Sequence, residues 1–320
     1  MAKLRRTGAQ GPAAEDATLR IRAAWLYYNQ GLTQKEVSDR LGVSRGTVVR
    51  VLSEAVERGD VRIWINEAEA ECVDLAVKLE TVYGLDEAVV VPVATGDTTK
   101  AVGLALGQFL SEAATDGMTI GVGWGRTLMA AIPALRPVRH SDMRVVSLLG
   151  GVVEARSENP LEFSWRLASQ LGADCYLMVA PAIVDSSETK RTLIDKCGLD
   201  RLFAMAGSLD LAVVSTGDIG IGSSSLAAGM ISEKDLHEMV ALGAVADILA
   251  NFLDRDGNSV PHDINRRVMS VDLDTVREAG HVLIATGGAH RATAIRAAIR
   301  RIGCNTLITD EGAARALLAG

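Results

Sequence analysis

Arg45, Gly46, Thr47, Val49 and Arg50 stand on the outside of a segment whose other residues, Val48, Val51 and Leu52, form an apolar helical stripe. Two guanidiniums and a hydroxyl beside a residue without a side chain suit the N-terminal part of a helix that reads base edges and phosphates in a DNA groove. Ser44 is placed to cap that helix, and Gly42 supplies the sharp turn before it. Upstream, Thr33 and Glu36 have capping-box spacing around Gln34, and Val37 and Leu41 fall on one face of the helix they open. Two short helices meeting at a glycine predict a helix-turn-helix unit. Double-stranded operator DNA is therefore the expected partner, through Thr33, Gln34, Ser44, Arg45, Gly46, Thr47 and Arg50.

A second chemistry is suggested by three glycine-rich turns, each after a probable strand. Gly121-Val122-Gly123-Trp124-Gly125-Arg126-Thr127 closes strand 118–123, Gly150-Gly151 follows strand 143–149, and Gly287-Gly288-Ala289-His290-Arg291 follows strand 281–285. Bare amides at a helix start can hold an anion, and Arg291 can add a bidentate fork to a phosphate or carboxylate. The alternative is that the glycines serve only tight turns and that Arg291 is a solvated charge. The spacing is G-x-G-x-G rather than the dinucleotide fingerprint, and Asp142 precedes its strand instead of ending it, so no nicotinamide cofactor is expected. Asp247 and Asp254 read equally as hydroxyl-binding carboxylates or as turn and cap residues.

Catalytic and metal constellations are missing from the sequence. Ser187-Glu188-Thr189-Lys190 has S-x-x-K spacing without its companion motifs and reads as a helix start; there is no Walker A sequence and no G-x-S-x-G elbow. Cys72, Cys175, Cys197 and Cys304 form no C-x-x-C pair, and the five histidines have no ligand spacing, so neither a metal nor a disulfide framework is expected.

The elements that position these residues fall into two parts, as a length of 320 residues suggests. Residues 1–15 read as a disordered basic arm and 16–66 as the DNA-binding domain. Its supporting helix carries Leu19, Ile21, Ala24, Trp25 and Tyr28, with Trp25, Tyr27 and Tyr28 expected in the core. Alternation over residues 61–65 suggests a short wing strand. An amphipathic linker helix over 67–84 could help pair DNA domains. Residues 85–320 alternate probable strands (88–93, 118–123, 143–149, 174–180, 209–214, 281–285, 305–309) with helices (98–114, 160–171, 232–242, 290–301, 311–318), an α/β pattern that means a mostly parallel sheet covered by helices. Ala250 to Val268 is less regular, with a turn at Asp256-Gly257-Asn258. The net charge of −7 is unevenly spread: through Asn66 there are 11 Lys and Arg against 7 Asp and Glu, a net of +4, and the remainder carries 22 against 33, a net of −11. The basic end is the one with the helix-turn-helix, as phosphate attraction requires. No apolar run is long enough to span a bilayer and the start lacks a signal-peptide core, so a cytoplasmic location without membrane partners is expected.

The order of motifs resembles the SorC family of bacterial sugar-responsive transcriptional regulators over nearly everything after the basic arm. The resemblance rests on Trp25-Leu26-Tyr27-Tyr28 before Gly31-Leu32-Thr33-Gln34, on Ile120-Gly121-Val122-Gly123-Trp124-Gly125, on Gly150-Gly151 and on Ala180-Pro181-Ala182. It extends to Gly243-Ala244-Val245, Gly287-Gly288 and Leu307-Ile308-Thr309-Asp310-Glu311. It implies a Rossmann-like effector domain similar to sugar-phosphate isomerases, assembly typically as tetramers, and a sugar, polyol or phosphorylated effector. Such an effector would be held near Gly123, Trp124, Gly125, Arg126, Thr127, Gly150, Gly151, Asp247 and Arg291, the last standing where the family usually has lysine. Ala246-Asp247-Ile248 likewise replaces the usual Gly-Asp-Ile.

Three readings follow. The first is a transcription factor, not an enzyme, whose effector domain alters DNA affinity as a homodimer or homotetramer on a two-fold site. In it, Arg291 with the Gly287 and Gly288 amides would grip a phosphate, and Asp247 would accept from sugar hydroxyls. The second is an isomerase-like or acyl-transfer enzyme with an accessory DNA-like domain, and the third is an interaction module.

Overall fold

The computed structural model describes residues 12–61, 67–93, 96–153, 159–220 and 222–320. The chain divides into two compact units between Asn66 and Glu67.

In the first unit, α1 (Pro12–Ala24) continues through a π-helical turn (Trp25–Asn29) and precedes α2 (Gln34–Leu41) and α3 (Arg45–Glu57). The helix already includes residues 12–15, beginning four positions before the expected start of the domain at residue 16, and proline is tolerated in a first helical turn because no intrahelical bond needs its missing N–H. Residues 1–11 and 62–66, the latter including all of the expected wing strand but Val61, lie outside the described residues. The capping box at Thr33 is formed in both directions, Gly42 turns at φ 69°, and the Ser44 hydroxyl accepts from the Thr47 amide at 3.0 Å. Ala23, Ala24, Val37, Val48, Val51, Leu52 and Ala55 make the core. Trp25 and Tyr28 are not in it: they are 59% and 44% exposed, with Tyr27 only partly buried. The α1 periodicity supports two stripes. The one that packs runs through Arg20, Ala23 and Ala24, with Arg20 neutralised by Asp60 at 2.5 Å, and this leaves Ile21, Trp25 and Tyr28 facing outward at i, i+4, i+7.

The second unit opens with α4 (Glu67–Tyr83). Its inner face, Cys72, Leu75, Ala76 and Leu79, is buried in this unit's own core, and Val73, Val77 and Val82 are exposed. The helix is thus part of the effector unit rather than a free connector. The strands are β1 (Glu87–Val91), β2 (Thr119–Val122), β3 (Arg144–Ser147), β4 (Asp174–Tyr176), β5 (Leu211–Val214), β6 (Gly217–Asp218), β7 (Ala246–Ile248), β8 (Asn251–Leu253), β9 (Val282–Ala285) and β10 (Thr306–Asp310). Seven of them form one all-parallel sheet in the order β1-β10-β9-β5-β2-β3-β4. These are the seven strands expected from the sequence, five of them shortened within their expected spans, β1 beginning one residue earlier and β10 ending one residue later than expected. Alternate residues serve opposite faces: Leu211 and Val213 join Val102, Leu106, Phe163 and Leu167 on one side, and Ala212 and Val214 join Leu202, Ile295 and Ala298 on the other. Both faces are covered by helices, which is why the strands read as continuous apolar runs.

The sequence did not announce a second sheet, β6-β7-β8, antiparallel and only two or three residues per strand. It places Asp247 at the middle of a strand opposite Gly217, rather than in a turn. The β7–β8 hairpin turns through Leu249 and Ala250 at φ 50° and 58°, a left-handed pair that non-glycine residues rarely adopt.

Candidate functional site

Because β9, β5 and β2 are neighbours in the sheet, the segments leaving their carboxyl ends must converge. In a sheet whose order reverses between chain halves, that convergence is where ligands bind. Those segments are Gly123–Thr127 after β2, Ser215–Asp218 after β5 and Thr286–Arg291 after β9, and the small sheet lies over them.

A cavity with about 480 Å³ of free space, part of it open to solvent, lies there. Trp124, Gly125, Arg126, Thr127, Asp247 and Arg291 line it, with Thr99, Ser215, Thr216, Gly217, Asp218, Ser224 and Leu249. Gly125 has φ 130°, which only glycine adopts without strain, and it lets the chain swing from β2 into the short Arg126–Met129 helix. Arg126 is exposed and has no ion pair or hydrogen bond among the described residues.

Two charged centres organise the interior. Arg291 donates from Nε to Asp218 at 2.9 Å and from Nη1 to the Gly287 carbonyl at 3.1 Å. Burial works to raise the Asp218 pKa, but the hydrogen bond and charge of Arg291 outweigh it and hold the carboxyl below its ordinary range. Asp247 is paired with no cation among the described residues. Burial pushes its pKa up to about 6 against the Ser225 hydroxyl, which donates to Oδ2, and the nearby Ala250 amide, which also favours the charged form; Oδ1 is buried and, among the described residues, accepts no hydrogen bond of good geometry. A buried acceptor without a well-aligned donor costs about 1–3 kcal/mol, so Asp247, which lines this cavity, stands there at an energetic cost. Thr216 fixes the strand that carries it, donating to the Asp247 carbonyl at 3.1 Å while its own carbonyl accepts from Thr286.

The remaining expected residues lie elsewhere. Gly123 is packed beneath the cavity: its amide donates to Val213 at 2.8 Å, and a Cβ there would meet Leu249 at 2.9 Å. The Gly150 amide donates to Met269 and the Gly151 amide to Ala180, both at 2.8 Å. A Cβ on Gly150 would meet the Ala180 carbonyl at 2.6 Å. Gly288 donates to Asp310 Oδ2 at 2.5 Å, and a Cβ on Gly287 would meet Thr98 and that same carboxylate. These glycines bring segments close together, and the amides of Gly150, Gly151 and Gly288 already have acceptors.

Sequence reasoning passed over Asp218, Thr216 and Ser225. The first two had a signal: Ser215-Thr216-Gly217-Asp218 directly follows the expected strand 209–214 and obeys the same strand-end rule as the glycine turns. Asp254 is a turn residue, its Oδ1 accepting from the Asp256 and Asn258 amides at 2.9 Å. Asp235, Glu238 and His262 lie close enough to hold a metal ion, but the donor set fits one poorly. Asp235 caps its own helix through Ser232, and His262 Nδ1 accepts from the Ile264 amide, which puts the imidazole proton on Nε2 facing Glu238.

In the first unit, Arg45 is exposed, with a single long contact from Nε to Gln34 Oε1 at 3.3 Å. Arg50 is engaged by Glu54 at 2.5 Å and Asp16 at 3.6 Å. Thr33, Gln34, Ser44 and Thr47 are grouped at the N-terminal ends of α2 and α3, and an added Cβ on Gly46 would touch only Ser44 Oγ, at 3.8 Å.

Comparison with known proteins matches residues 68–319 to the family described as "Putative sugar-binding domain" and residues 15–64 to "Homeodomain-like domain". The erythritol catabolism regulatory protein EryD of Brucella abortus is 31% identical over 96% of this chain and 98% of its own. The chain belongs to the SorC family of sugar-binding transcriptional regulators. The transcriptional regulator LsrR of Klebsiella pneumoniae is 32% identical to this regulator over 97% of the chain and 95% of its own. The crystal structure of the full-length sorbitol operon regulator SorC from Klebsiella pneumoniae superposes with a TM-score of 0.72 at 25% identity, covering 95% of this regulator and 99% of SorC. Among the described residues no helix is long and apolar enough to cross a membrane.

Proposed function

We propose that this protein is a DNA-binding regulator of a carbohydrate-catabolic operon, acting in the cytoplasm by binding rather than turnover, and controlled by a polyol or sugar phosphate held in the cavity between Asp247 and Arg291. The observation that carries the reading is Asp247 itself, a carboxylate buried beside Ser225 in the lining of the cavity that also holds Arg291, and proposed to accept from a ligand hydroxyl. Arg126, unpaired at the rim, and Arg291 supply the anion end. Arg291 is already neutralised by Asp218, so a phosphate must compete with that carboxylate for the guanidinium. Such an exchange of partners can couple occupancy to conformation, since binding controls DNA affinity only where it differs between two states.

Calorimetry with erythritol and sorbitol beside their monophosphates tests this. The phosphorylated form should bind more tightly, and the gap should collapse in Arg291→Ala. Equal affinity for both forms in the parent protein overturns the phosphate assignment and leaves a neutral polyol. Arg45, Gly46 and Thr47, with Thr33, Gln34 and Ser44 at the helix starts, form the proposed DNA-contacting surface. One short recognition helix reads few base pairs, so the regulator is proposed to work as a homodimer or homotetramer on a two-fold site. The exposed Val73, Val77 and Val82 of α4 would contribute to assembly. Full-length protein that stays monomeric in light scattering overturns that part.

A further inference from the structure

The Ala292–Ile302 helix carries arginines whose counter-charges differ. Arg301 is paired with Asp274 at 2.5 Å, and Arg300 donates to the Arg255 carbonyl at 2.7 Å with Asp256 at 3.5 Å. Arg296 has no ion pair or hydrogen bond among the described residues, and its Nη1 is buried with no partner. A guanidinium nitrogen removed from water without an acceptor is unfavourable, and none of the described residues accepts from this one.

The surroundings are built to receive one. Thr293, Arg296 and Arg300 share a helix face at i, i+3, i+7, and with Arg255 and Gly320 they line a cavity with about 680 Å³ of free space, partly open to solvent. Arg255 arrives on a turn that is locked in place. Asp254 ties that turn through the Asp256 and Asn258 amides, and Gly257, at φ 86°, lies so close to the helix that a Cβ would meet the Ala297 carbonyl at 2.9 Å and the Arg301 amide at 3.1 Å. Three guanidiniums thus line one cavity, and among the described residues the carboxylate ion-paired with them is the exposed Asp256, which pairs with Arg300. It shares no lining residue with the cavity of Asp247 and Arg291.

We propose that this cavity is a second anion site, taking inorganic phosphate or the phosphate group of a monoester through Arg296, Arg300 and Arg255, with the Thr293 hydroxyl as an additional donor. The site stands independently of the effector assignment. The test titrates full-length Arg291→Ala protein with inorganic phosphate by calorimetry in chloride buffer, so that the first cavity is already weakened. One phosphate per chain should bind, and adding Arg296→Gln should lower its affinity about tenfold or more. Arg300→Gln, at a half-exposed position that tolerates change, should lower it by less and guards against misfolding of the Arg296 variant. The proposal is overturned if Arg291→Ala protein takes up no phosphate, or takes it up equally with and without Arg296→Gln and Arg300→Gln. Neither substitution alone should alter the response of DNA binding to a polyol phosphate, whereas failure of the effector reading would show there and not in the phosphate titration.

Discussion

The helix-turn-helix and the cavity of Asp247 and Arg291 assemble charge and hydroxyls in opposite ways. In the first unit the presenting residues are contiguous, from Thr33 to Arg50, and helix caps three residues apart fix their directions. In the second they come from Thr99, Trp124–Thr127, Ser215–Asp218, Ser224, Asp247 and Arg291, and only the order of the parallel strands brings them together. Local spacing can therefore specify a DNA-reading surface, whereas a small-molecule cavity is specified by topology. The first exposes its cations to water, and the second, apart from the exposed Arg126, pairs or buries its charges, so the same substitution should have different consequences in the two places.

The sharpest contrast should be in pH dependence. The folded-state pKa of Asp247 is raised from 3.8 to about 6, about 3 kcal/mol if the whole shift is counted. Between about pH 4 and 6 the unfolded chain gives up this proton while the folded one keeps it, so the contribution to stability falls as pH rises and levels off above 6. Asp218 and Asp274, held low by arginines, slope the other way, so the quantity to read is a difference. In urea unfolding, Asp247→Asn should gain on the parent between pH 4 and 7; parallel curves would show that Asp247 is not buried without a partner.

DNA affinity should separate the two arginines of α3. Arg45, free of any carboxylate, should cost about 1–3 kcal/mol of operator binding when changed to alanine. Arg50 must first leave Glu54 and Asp16, so Arg50→Ala should cost less and mainly shallow the salt dependence. Losses in the reverse order, measured by fluorescence anisotropy, would mean that the Arg50 pairs open on DNA.

Glycines offer a smaller but cleaner comparison. Gly150→Ala should destabilise the effector unit by about 1–3 kcal/mol, because its Cβ has nowhere to go against the Ala180 and Pro181 carbonyls. Gly46→Ala should stabilise the first unit by up to about 1 kcal/mol, since among the described residues an added Cβ meets only Ser44 Oγ, at an ordinary 3.8 Å. If Gly46→Ala also weakens DNA binding, the missing side chain serves a close approach of DNA. Thermal melts of the two variants shifting in the same direction would dissolve the distinction.

The sequence made the helix-turn-helix legible down to its capping box, because each signal lies within four residues of its partner. All seven strands of the large sheet were legible because burial on both faces leaves apolar runs such as Leu211–Val214. The position of Asp247 was not: β6, β7 and β8 are too short to show a period, and the left-handed Leu249-Ala250 turn lacks the glycine or asparagine that marks a hairpin. Trp25 misled because a large aromatic at helical spacing reads as core, and nothing local shows that Arg20, with Asp60 forty residues away, occupies the buried side. Gly150 and Gly288 misled for a similar reason, since a glycine that opens an amide and one that admits a neighbouring segment look alike until the neighbour is placed.

The central claim, that the cavity of Asp247 and Arg291 governs DNA binding, is tested most directly by operator-DNA anisotropy on full-length parent and Asp247→Asn, with and without a polyol phosphate. The DNA would be recovered from a genomic pull-down. The account predicts a ligand-induced change in DNA affinity of tenfold or more for the parent, and an Asp247→Asn protein that binds DNA as the parent does but no longer responds. An Asp247→Asn protein that responds to the ligand as fully as the parent would contradict it.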